Sequence, residues 1–142
     1  MKTNHSINDY LLFFEAWTCL AAARLAVVTL PFRKIAPYMG IQVDDLSFQP
    51  RPEAKDEKLH SIRCAINRAA ARSPWRTKCL EQAIAARTML QRRGEQSTIF
   101  LGVAPTSKQQ KSIAAHAWLM CNGEIVTGKK GVCDFTVIGK FK

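Results

Sequence analysis

Residues 77–103, TKCLEQAIAARTMLQRRGEQSTIFLGV, contain the change of period that decides the fold. Leu80, Ala83, Ile84 and Leu90 form one helical stripe, and the Thr77 hydroxyl ahead of them can cap the open amides of a first turn. Ser73-Pro74 separates this helix from whatever precedes it. Arg92 and Arg93 suit the negative end of a helix, and Gly94 accepts the left-handed conformation that stops one, so a helix is expected over 78–93. Past Gly94 the pattern turns to strands at 98–103, 113–121, 124–127 and 132–138, with Asn122-Gly123 as a strong two-residue hairpin signal. Helices first and an antiparallel sheet afterwards make an α+β domain.

Upstream, residues 54–72 carry Leu59, Ile62, Ile66 and Ala69 at three- and four-residue steps, an amphipathic helix whose other face holds Lys58, Arg63 and Arg68. Residues 37–52 contain Pro37, Gly40, Asp44, Asp45, Pro50 and Pro52 and read as an irregular connector with one short extended piece. Before it, 7–30 is the most apolar segment, an expected long helix ending at Pro31. Asp9, Glu15 and Arg24 leave its charge-free stretch short of the roughly 18–20 residues that a span requires. No transmembrane segment is expected, and peripheral membrane contact through the 7–30 helix stays open beside burial against the domain or a partner. The chain divides into 1–53, N-terminal helix and connector, and 54–142, the core, within one compact domain.

The 142 residues bear a formal charge of +10, which favours an anionic partner without naming one; no Lys/Arg run exceeds two residues and no RNA-binding fingerprint is present, so nucleic acid is not expected. Cys19, Cys64, Cys79, Cys121 and Cys133 are odd in number and contain no C-x-x-C pair, which argues against a disulfide framework or zinc site; no metal and no cofactor is expected. Asn4, His5, Asn8 and Asp9 spoil any secretory signal, so the cytoplasm is the expected compartment.

A nucleophilic thiolate is favoured by helix-end amides and nearby cations. Cys79 alone has both: it falls in a first turn after Arg76 and Lys78, and behind Trp75, which could wall the site. Its own amide is open and could donate to an oxyanion. The other cysteines read as small apolar fillers on helices and strands, and a first-turn cysteine can itself be structural. His116 lies in the apolar run Ala114-Ala115-His116-Ala117-Trp118, where an imidazole is either a satisfied core group or a base.

Lys78-Cys79-Leu80-Glu81-Gln82-Ala83, the basic helix end with Gly94, Leu101-Gly102-Val103, and Ala115-His116-Ala117-Trp118 together resemble the transglutaminase-like, papain-type leader peptidases of lasso-peptide biosynthesis. Ala23-Arg24-Leu25 leading to Leu30-Pro31-Phe32-Arg33-Lys34 matches that family's opening helix, so the resemblance covers nearly the whole chain. It implies a cysteine protease fold with a nucleophile-bearing helix on an antiparallel sheet. It implies Cys79 as nucleophile, His116 as base, an Asp on the following strand, and Trp118 at the substrate. The implied partners are a precursor peptide cut at its leader, a separate leader-recognition protein and an ATP-using macrolactam-forming cyclase.

The third group is the weak point. A two-residue Asn122-Gly123 turn sets Cys121 opposite Glu124, Met120 opposite Ile125, Trp118 opposite Thr127 and His116 opposite Lys129, so no carboxylate faces the imidazole. Asp134 could reach it past a bend at 129–131, and a backbone carbonyl or water could serve instead. Two other readings stay open: a non-catalytic basic module for acidic peptide or nucleic acid, and a transglutaminase-like acyltransferase.

Overall fold

The computed structural model describes residues 6–50, 56–106 and 112–142. Helix α1 spans Ile7–Thr29 and opens on Ser6, whose hydroxyl accepts from the Asp9 amide while the Asp9 carboxylate accepts from the Ser6 amide. It ends before Pro31, as the sequence requires. A second helix, α2 (Phe32–Met39), fills the stretch between the first helix and the expected connector and takes in the connector's first residues, 37–39. Pro37 falls late in this eight-residue helix, so it closes the segment and does not prevent it from starting.

Helix α3 (Glu57–Arg72) begins on Asp56, whose carboxylate accepts from the Lys58 and Leu59 amides; the expected positions 54–55 lie outside the described residues. Helix α4 (Cys79–Gln91) begins on Lys78. Gly94 at φ +74° stops its last turns, with the Glu95 amide returning to the Leu90 carbonyl.

Four strands follow: β1 (Ser97–Pro105), β2 (Ile113–Cys121), β3 (Glu124–Thr127) and β4 (Thr136–Phe141). They form one antiparallel sheet in the order β3-β2-β1-β4. Asn122 at φ 53° and Gly123 at φ 81° make the hairpin turn that the Asn-Gly pair demands. The last strand starts later than 132, because Val132–Asp134 forms a short 3-10 turn after Gly131 enters the left-handed region. The α+β architecture read from the sequence is the architecture found.

The helices cover one face of the sheet. Leu20, Met39, Leu59, Ile62, Ile66, Met89 and Leu90 pack with Ile99, Leu119, Val126 and Phe141 in the main core, and each such side chain contributes about 1.5–3 kcal/mol on burial. The other face carries a second cluster of Phe100, Trp118, Met120, Ile125 and Val132, covered by Phe48 from the connector and by Phe135. One ion pair joins helix to sheet, Arg63 to Glu124 at 2.7 Å, and another ties the end of α4 to α1, Arg93 to Glu15 at 2.7 Å.

Candidate active site

Cys79 is the first residue of α4 and half-buried. The first intrahelical bond runs from the Gln82 amide to the Lys78 carbonyl at 3.1 Å, so the Cys79 amide precedes it and has no partner within the helix. Thr77 does not cap this turn as expected: its hydroxyl accepts from the Gln82 side chain at 3.1 Å. Glu81 does the work. One of its oxygens accepts from the Lys78 amide at 3.1 Å and the other from Arg24 of α1 at 3.0 Å, with the Glu81 side chain wholly buried. The turn that carries the thiol is thereby tied to α1. Trp75, a short way upstream, leans on Trp17 of α1 with ring centres 5.6 Å apart, and its buried Nε1 has no hydrogen-bond partner among the described residues.

His116 stands on β2 opposite Gly102 of β1. Its imidazole lies against the rings of Phe135, at 5.0 Å, and Trp118, at 5.8 Å. Gly102 is what admits these rings, since a Cβ there would come within 2.8–2.9 Å of Trp118 and Phe135. Nε2 of His116 lies 2.7 Å from the Gly128 carbonyl oxygen. A carbonyl only accepts, so Nε2 carries the hydrogen and donates, and Nδ1 is the ring nitrogen that this bond leaves open.

That bond corrects the expected hairpin register. Cys121 faces Glu124 and Met120 faces Ile125, but a bulge between Leu119 and Met120 sets Thr127 opposite Leu119 and not Trp118. The slip carries Gly128 into close backbone contact with Ala117 and Trp118: at φ +75°, a Cβ there would fall 2.5 Å from the Ala117 oxygen. Only glycine fits this approach.

Asp134 is exposed at the end of the 3-10 turn, and no hydrogen bond among the described residues joins it to His116; its neighbour Phe135 is what touches the ring. Trp118, expected at the substrate, is fully buried beneath the imidazole, stacked on Phe100 and edge-on to Phe48, with no exposed surface of its own. Glu124 is held by Arg63.

The structure does not hydrogen-bond Cys79 to His116 among the described residues. By register, the imidazole shares the face of Phe100 and Trp118, whereas α4 packs on the face of Ile99 and Leu119. A polar cleft of about 300 Å³ opens toward the hairpin end of the sheet, lined by Gln96, Thr98, Met120, Asn122, Lys140 and Lys142 among others. Among the described residues no group of three or more His, Cys, Asp or Glu could hold a metal ion.

One pair escaped the sequence reading: Cys64 Sγ and His60 Nε2 meet at 3.4 Å on α3. Their four-residue spacing on a helix was the available signal.

The family model described as the transglutaminase-like superfamily matches residues 26–140. No curated protein and no solved structure matches the chain.

Proposed function

The chain belongs to the transglutaminase-like superfamily, and on that premise we propose that it is a cytoplasmic cysteine peptidase that removes the leader from a ribosomally made lasso-peptide precursor. The observation that carries the proposal is the 2.7 Å bond from His116 Nε2 to the Gly128 carbonyl. It gives the imidazole the tautomer a general base needs, with Nδ1 open, without a carboxylate.

The residues then have distinct roles. His116 Nδ1 takes the Cys79 proton, and the thiolate attacks the scissile carbonyl of the leader. The Cys79 amide donates to the oxyanion, joined by a donor near Trp75. The amine of the released peptide leaves with a proton from His116, and a water activated by His116 hydrolyses the acyl-enzyme. The Gly128 carbonyl orients the ring, a task that an Asp performs in other triads. Proton transfer requires Sγ and Nδ1 to come within hydrogen-bond reach, and because the imidazole and α4 lie on opposite faces of the sheet, bound precursor, presented by a leader-recognition protein, is proposed to rearrange the strand that carries His116. A macrolactam-forming cyclase would act on the freed core peptide.

The missing Cys79–His116 contact favours one second reading, a non-catalytic module for an acidic peptide. Against it, two cations of the α3 face are already engaged, Lys58 with Glu95 and Arg63 with Glu124. An acyltransferase would share the same acyl-enzyme and differ only in the acceptor. Incubating chain, precursor and recognition protein and weighing the products separates all three. A free leader acid is expected, an amine-linked leader marks a transferase, and precursor that stays intact yet bound marks the module.

A further inference from the structure

Helix α1 is apolar on two opposite sides, and the core buries only one of them. Ala16, Leu20 and Ala23 enter the core against α3 and α4. On the opposite side Ile7, Leu11, Phe14, Leu25 and Val28 are each more than 60% exposed. Their spacing, with Thr18 and Ala22 between, keeps them in one stripe along a helix of 23 residues, about 35 Å long. No charge interrupts it. Glu15 lies to one flank in ion pairs with Arg92 and Arg93, and Arg24 to the other, bound to Glu81. Just past Pro31, Phe32, Tyr38 and Ile41 are exposed as well, and Arg33 and Lys34 stand exposed in the same segment.

An uncharged stripe of this length is uncommon on a soluble monomer and marks a contact surface. Charge selects the occupant. A second copy would bring another +10 against the first. An anionic lipid surface satisfies both features, with the apolar stripe in the acyl boundary, the aromatic rings at headgroup level and Arg33 and Lys34 among the phosphates.

By length and composition α1 could cross a membrane, but crossing would strip Ala16, Leu20 and Ala23 from the core. It would also break the two-pronged Arg93–Glu15 pair, at 2.7 and 2.9 Å, and the Arg24–Glu81 pair. We infer that the outer stripe of α1, with the exposed Arg33 and Lys34 just past its C-terminal end, lies on an anionic lipid surface and holds the folded protein there without spanning it. This is independent of the peptidase reading.

The test is flotation of the intact chain with vesicles of phosphatidylcholine alone or with phosphatidylglycerol added. The chain is expected to float with the anionic vesicles only, less as salt rises, and Arg33→Glu/Lys34→Glu is expected to weaken binding about tenfold or more. Leu11→Ser/Phe14→Ser/Leu25→Ser is expected to abolish flotation while circular dichroism stays that of the parent, because these side chains face solvent. Wild-type chain that fails to float with either vesicle overturns the inference, as does equal flotation of a folded stripe variant. A stripe-dependent dimer by light scattering overturns it in favour of a second copy.

Discussion

Replacing Arg24 with Met probes the joint that places the candidate nucleophile. Glu81 is fully buried, with one oxygen on the Lys78 amide and the other on Arg24, whose own side chain is 34% exposed. Removing one partner of a buried ion pair costs about 3–5 kcal/mol, because the remaining charge is left in a poor solvent. Arg24 is partly screened by water, which brings the expected loss for Arg24→Met to about 2–3 kcal/mol.

Glu81→Gln keeps the bond to the Lys78 amide and removes the charge, so it should cost less, about 1–2 kcal/mol. The sign of the coupling is the sharper forecast: Arg24→Met/Glu81→Gln should be more stable than Arg24→Met alone, since the second change removes the stranded carboxylate. Urea denaturation of the four proteins measures it. A loss below about 0.5 kcal/mol for Arg24→Met, the size of an exposed pair, or strict additivity in the double variant, would refute the idea that this pair anchors the first turn of α4.

Three further outcomes are expected. Gly128→Ala should lose about 2–3 kcal/mol, because it places a Cβ in a left-handed position and 2.5 Å from the Ala117 oxygen; in the parent, nitrogen NMR of His116 should show the hydrogen on Nε2, and an Nδ1–H ring would sink the proposed base. Glu15 is held below its ordinary value of 4.5, first by its hydrogen bond to Arg93 and then by the charges of Arg93 and Arg92, against the opposing effect of burial. Its contribution is therefore present above 4.5 and lost as pH falls through the lower folded value, so Glu15→Gln should flatten the acid limb of the stability curve; an unchanged limb contradicts this. Burial, helped by Glu95 and Asp56, pushes the Cys121 thiol up to about 11, so alkylation near pH 8 should modify exposed Cys133 well before Cys121, and equal rates would contradict that burial.

The parts of the fold with a strong local signal were legible in the sequence. Strands β2 and β3 fall on the expected residues because Ile113–Cys121 is one unbroken run and Asn122-Gly123 permits a single kind of turn. Helix α2 was hidden by Pro37, which reads as a breaker but sits near a helix end. The late start of β4 follows from Gly131, whose left-handed φ begins a 3-10 turn that no apolar periodicity announces.

Cys79 and His116 could be picked as candidates by residue type and place, and a backbone carbonyl was open as the imidazole's partner, but which carbonyl could not be read. That partner is a backbone carbonyl, delivered by a bulge and a glycine contact, and neither leaves a side chain in the pattern. The Arg24–Glu81 pair spans 57 positions, a separation that local spacing cannot reveal.

The central claim, that Cys79 attacks a leader carbonyl, is tested most directly by acid-quenching the chain with precursor and recognition protein and weighing the intact protein. A species heavier by the leader fragment, mapped to Cys79 and missing from Cys79→Ala, is the predicted result. Leader cleavage by Cys79→Ala at the parent rate, or an adduct on another residue, would contradict it.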